Sequence, residues 1–110
     1  MSRDLYALKG KKAVRCENVK AWGQWVKVAD RVVARTAGRG IDVSTVFLAL
    51  DHRHGKGKHL LFETMTFSTG GEEDCERCST WDEAETQHRQ MCEKHFDMSG
   101  VLIIWNEGRM

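Results

Sequence analysis

The chain has no proline, and no apolar run near the roughly 18–20 residues that a bilayer-spanning helix requires. A membrane span is therefore not expected. Its first residues, MSRDLYALKGKK, lack the apolar stretch of a secretory signal, so a cytoplasmic location is expected. In that reducing setting the four cysteines should be thiols or metal ligands rather than disulfides. Catalytic signatures are missing as well. No Ser-His-Asp order, no G-x-x-x-x-G-K-[ST] phosphate loop and no paired-carboxylate spacing occurs in a supporting context. A non-enzymatic role follows as the expectation. The missing proline has no evident physical reason.

What is present fits one globular domain spanning residues 1–110, with 41% apolar and 30% charged residues. The net charge of +1 hides a split. Residues 1–60 hold thirteen Lys/Arg against five Asp/Glu, whereas residues 61–110 hold four against eleven. Such a division can leave one basic region able to attract an anion, nucleic acid included, unless the halves interleave and neutralise each other.

The pattern along the chain predicts an α+β fold: a small, mostly antiparallel sheet with two helices packed on one face, in the order β–α–β–β–β–α–β. LYALKGKKAV, with its central Gly-Lys-Lys, suits a tight hairpin. From about Glu17 the apolar residues Val19, Trp22, Val26 and Ala29, with Trp25 at the margin, recur at helical spacing. RVVART reads as a strand and AGRG as a turn. VSTVFLALDH and HLLFETMTF read as two long antiparallel strands joined by the basic, Gly-hinged RHGKGK loop. Both faces of the first are largely apolar, so it should be central and covered on both sides, by a second subunit in a homodimer if need be. STGGEEDCER reads as a surface loop. Thr80 and Glu83 form a capping box that starts a second helix near Trp81, ending about His95 or Phe96. GVLIIWN should close the sheet as a buried strand.

Three cysteines and two histidines crowd into CERCSTWDEAETQHRQMCEKH. Cys75 and Cys78 have the C-x-x-C spacing that chelates one ion, and His88 and Cys92 lie one helical turn apart, with His95 in reserve. Together they make a candidate structural zinc site. The same helical stripe, with Trp81, Ala84 and Met91, is also the apolar one. Core and surface thiols are therefore the favoured reading.

At VSTVFLALDH, LLFETM and STWDEAETQH the chain resembles a functionally uncharacterised family of small proteins encoded by tailed bacteriophages and occasionally prophages. The similarity extends to ENVKAWGQWVKVADRVVART and so covers most of residues 5–95. The resemblance implies a phage accessory protein acting in an infected bacterial cytoplasm, and no particular reaction. Relatives often carry an aromatic residue at the place of Cys78, which argues against a metal being required by the fold. His52 and His88 match histidines of the family.

Three functions follow as expectations. The first is a binding or inhibitory module acting on a host protein or complex, with counter-defence as one possible outcome. The second is a nucleic-acid or nucleotide binder using Arg53, Lys56, Lys58 and the basic first half. The third is a small metal-dependent hydrolase around His52 and His88. Asp51, His52, Glu63 and His88 form a possible polar cluster, although strand alternation sets Asp51 and His52 on opposite faces. A His–carboxylate hydrogen bond pinning the helix to the sheet is the plainer reading of it.

Overall fold

The computed structural model describes residues 4–53, 55–71, 73–96 and 103–106. The fold is α+β, with every strand pairing antiparallel. A two-stranded hairpin comes first, β1 (Leu5–Lys9) and β2 (Lys12–Cys16), with Gly10 at φ 62° in its turn. Helix α1 (Val19–Val28) follows, its first turn closed by Asn18 accepting from the Ala21 N–H at 3.0 Å. Next come β3 (Val32–Gly38), β4 (Ile41–Phe47), β5 (Phe62–Ser68), β6 (Glu73–Cys78), α2 (Trp81–His95) and β7 (Ile104–Trp105). These five strands form one sheet in the order β6-β5-β4-β3-β7.

The turn between β3 and β4 shows how local chemistry sets the register. Arg39 and Gly40 both take positive φ, 53° and 78°, the two-residue conformation whose twist matches paired strands. Gly38 then faces Ile41, and the pairing runs from there. β4 lies at the centre of the sheet, as its apolar content predicts. It ends earlier than predicted, at Phe47, because Ala49 enters the left-handed region (φ 64°). Its carbonyl turns out of the ladder to accept from Tyr6 N–H (2.9 Å) and Trp22 Nε1–H (3.2 Å).

The sheet has two unlike faces. The inner face presents Ala34, Thr36, Val43, Thr45, Phe47, Phe62, Thr64 and Thr66, all buried. Helix α2 lies across it, burying Trp81, Ala84, Gln87, His88, Met91 and Cys92. An aromatic series joins the layers: Trp25 to Phe47 (6.1 Å), Phe47 to Phe62 (5.2 Å), Phe62 to Trp81 (6.2 Å). Burial of each such ring contributes about 1.5–3 kcal/mol. Helix α1 packs through Trp22, Trp25 and Val26, and Trp22 Nε1–H also bonds the Tyr6 carbonyl at 2.9 Å, tying helix to hairpin.

Several expectations need correction. Val19 is exposed, so the apolar stripe of α1 is narrower than its spacing suggested. The acidic segment read as a surface loop is in fact the edge strand β6, paired with β5 from Phe62↔Cys78 to Phe67↔Glu73. Charge at an edge discourages pairing with further chains, which suits a strand in that position. The closing strand is two residues on β3 with Ile104 exposed, not a buried strand; residues 100–102 of that stretch lie outside the described residues. The outer face of β4 carries Asp42, Ser44 and Val46, half-buried, and no described element covers it.

Candidate functional site

The residues singled out for zinc do not assemble. On β6, a spacing of three puts Cys75 and Cys78 on opposite faces; Cys75 is exposed beside Met65, and Cys78 Sγ contacts the Thr80 carbonyl. Cys92 is buried with Val43, Met91 and Phe96. His88 Nε2 lies 2.9 Å from Thr36 Oγ1, and its Nδ1 lies 2.7 Å from Thr45 Oγ1, so neither nitrogen is left for a metal. That also removes His88 from a hydrolase site with His52. Burial raises the thiol pKa values of Cys75, Cys78 and Cys92, that of Cys78 to about 12, which opposes the thiolate form that zinc requires. His95, the reserve ligand, bonds Asp74 with Lys94 instead.

The proposed Asp51–His52–Glu63–His88 cluster is also dispersed. Glu63 is on the outer face, paired with Arg77 at 2.8 Å, whereas His88 is under the inner face. His52 sits in the segment between β4 and β5, where its N–H bonds the Leu60 carbonyl at 3.0 Å. A histidine–carboxylate hydrogen bond is formed instead by His59, whose Nδ1 bonds Asp51 Oδ2.

Asp51 organises the described residues between β4 and β5. Its buried carboxylate accepts from the backbone N–H groups of Arg53 and Leu60, both at 3.0 Å, and Arg53 Nε lies 3.0 Å away. Burial opposes ionisation of Asp51, but the His59 and backbone hydrogen bonds outweigh it and hold its pKa below the ordinary value. Arg53 also donates to the Gly57 carbonyl at 3.0 Å, so it shapes this segment and is not a free cation. Asp4, Asp51 and His59 bring ligand-type atoms within 4.8 Å of one another. Arg53 and Arg15 (3.3 Å from Asp4) already supply the positive charge there, and the group does not call for a metal ion.

Bracing this segment places its far end against the first hairpin and the start of α2. Between them lies a cavity of about 730 Å³. The buried Tyr6, Leu61, Phe62 and Trp81 lie beneath it, Thr80 and Asp82 border it on the α2 side, and Lys9, Lys11, Lys12 and Lys58 stand around it. Lys9 and Lys12 are cross-strand partners beside the Gly10 turn, so hairpin geometry forces their charges together. None of the four lysines has a carboxylate partner among the described residues. Lys11 Nζ lies 5.9 Å from the centre of the Trp81 ring, a cation–π contact. The His59 ring lies 5.6 Å from that of Tyr6.

Of the three cations expected to bind anions, only Lys58 lines this cavity; Arg53 is engaged with Asp51, and Lys56 is exposed outside it. The nearby start of α2 is not an open anion seat. Thr80 Oγ1 accepts from Glu83 N–H (3.2 Å), Glu83 Oε1 accepts from Thr80 N–H (3.1 Å), and Asp82 adds negative charge. The Lys-Gly-Lys-Lys tip was the one local sign of this site. No described helix is long and apolar enough to cross a membrane. No protein-family model, curated protein or solved structure matches the chain.

Proposed function

We propose that this protein is a non-enzymatic binding module whose pocket between the hairpin and α2 holds an anionic ligand. One observation carries the reading: four lysines, with no carboxylate partner among the described residues, stand around a single cavity of about 730 Å³. Like charges held together raise the energy of the empty site, and an anion relieves that repulsion. All four lysines come from the basic first 60 residues, so the charge split of the sequence supports the same reading. The test is calorimetric titration with inorganic pyrophosphate from low to high salt. Affinity should fall steeply with salt, and the exposed-lysine variant Lys11→Ala/Lys12→Ala should lose at least tenfold. Affinity that ignores both salt and the lysines refutes the reading.

A second reading keeps the host-protein partner that the phage resemblance suggested, with counter-defence in the infected cytoplasm as its setting. It draws on the outer sheet face, where Val32 and Phe67 are exposed and Val46 and Met65 half-buried. Exposed apolar side chains clustered on one face are a feature of docking surfaces. The measurement is recovery of one host protein by the wild type but not by Phe67→Asp; equal recovery by both would exclude this face.

A further inference from the structure

We infer that the outer face of the five-stranded sheet is the interface of a symmetric homodimer, in which Phe67 of each copy enters a hollow beside Phe67 of the other. The lysine cavity takes no part in it. The face that the second reading above offers to a host protein thus receives one stated partner, a second copy of this chain.

Strand alternation and register fix what the face presents. Val32, Val46, Glu63 and Arg77 form one row across the sheet, and Arg35, Ser44, Met65 and Cys75 form the next. Ala37, Asp42 and Phe67 make the row nearest the β3–β4 turn, and the Phe67 ring is 46% exposed there. One step further along, the outward position of the hairpin falls on Gly40, which pairs with Thr69 through the Thr69 N–H (3.0 Å) and has no side chain. A hollow of about 390 Å³ opens at this place, bordered by Ala37, Gly40, Asp42, Thr69 and Phe67 itself. A protruding ring beside a hollow on one surface supplies both halves of an isologous contact. A two-fold axis between them sends each ring into the partner's hollow, and the contact closes at two copies.

Charge favours a second copy. The charged side chains of the two outer rows pair within the chain, Arg35 with Asp42 at 2.7 Å and Glu63 with Arg77 at 2.8 Å. These four charges cancel, and the whole chain carries only +1, so two copies meet on this face without net repulsion. Extension of the sheet through β6 is opposed by the Glu, Asp and Arg side chains of that edge, which leaves docking by the face. Four strands of six or seven residues, about 4.8 Å apart and rising about 3.3 Å per residue, make a face of roughly 400 Å² in projection. With side-chain relief and both copies counted, docking removes on the order of 1,200 Å² from water, the low end of the range for a specific interface. A reversible dimer follows.

Sedimentation of the full chain, from micromolar concentration upward, tests this. The mass should rise with concentration toward twice the 12.6 kDa of one chain. Phe67→Ser, which removes the ring, and Ala37→Lys, which fills the hollow from an exposed position, should each weaken association at least tenfold. Urea unfolding of both variants separates loss of the contact from loss of the fold. Val28→Asp, at an apolar residue of α1 that is 86% exposed, should leave association unchanged. A wild-type chain that stays at 12.6 kDa to millimolar concentration overturns the inference and leaves the face to a host protein. A dimer that survives both Phe67→Ser and Ala37→Lys, or that Val28→Asp dissociates as well, also overturns it.

Discussion

Lowering the pH from 7 to 5 should cost the folded state about 2 kcal/mol through a single side chain, His88. Its imidazole is fully buried between α2 and the sheet, and burial lowers its pKa from 6.5 to about 4. Below pH 6.5 the unfolded chain takes up a proton that the folded chain refuses, so acid favours unfolding. The contribution is intact above pH 6.5, drains through pH 5, and reaches about 3 kcal/mol of loss near pH 4. Against the 5–15 kcal/mol typical of a domain, that is a large share. Urea unfolding at pH 7, 6 and 5 of the wild type and His88→Gln measures it, because glutamine can hydrogen-bond but cannot titrate. The variant should start less stable and lose less on acidification. Equal losses in both proteins, or titration of the His88 ring above pH 5.5 by NMR, would refute the argument.

Further outcomes follow from other groups. Asp74, lowered to about 2 by Lys94 and then His95, should hold the end of α2 until pH falls below 4; amide exchange at residues 91–95 should rise there, and already at pH 7 in Asp74→Asn. Asp51→Ala removes the buried acceptor of several donors and should cost about 2–4 kcal/mol in chemical denaturation, with proteolysis appearing first between residues 51 and 60. Gly40→Ala puts a Cβ 3.0 Å from Thr69 Oγ1 at φ 78°, and should lower stability by about 1 kcal/mol or more in thermal unfolding. Since Cys75, Cys78, His88 and Cys92 do not converge, a chelator should leave the melting temperature unchanged, and elemental analysis should find no stoichiometric zinc.

Elements governed by local chemistry were legible in the sequence. The first hairpin, both helices, the capping box at Thr80 and the central place of β4 follow from spacing, turn residues and propensity. β6 was not, because an edge strand of Glu, Asp and Arg shows none of the apolar alternation that marks a strand, and its pairing is supplied by β5. Gln87, a polar residue that no apolar spacing marks, is buried and bonds Thr64 Oγ1 and the Glu76 carbonyl, both at 2.9 Å. The pocket was hidden for a related reason. Lys11 and Lys58 are far apart in sequence, and only the Asp51-braced segment sets His59 and Lys58 beside the hairpin. The C-x-x-C spacing alone is ambiguous because it marks a metal knuckle on a turn, whereas on a strand it sends two sulfurs apart.

The polar contacts beneath α2 also decide where one hydrogen atom resides. Thr36, His88, Thr45 and Thr64 form a file in which each hydroxyl can give one proton, and Gln87 Nε2 donates into its end at Thr64. If His88 carried its proton on Nδ1, one hydroxyl proton of the Thr45–Thr64 pair would have no acceptor among the described contacts. With the proton on Nε2 the file runs in one direction: Thr64 gives to Thr45, Thr45 gives to Nδ1, and Nε2–H gives to Thr36. The Thr36 proton is then free for Cys92 Sγ, whose side chain bonds Thr36. The interior thus selects the Nε2–H tautomer, and a direction of donation running from the sheet's middle strands toward β3.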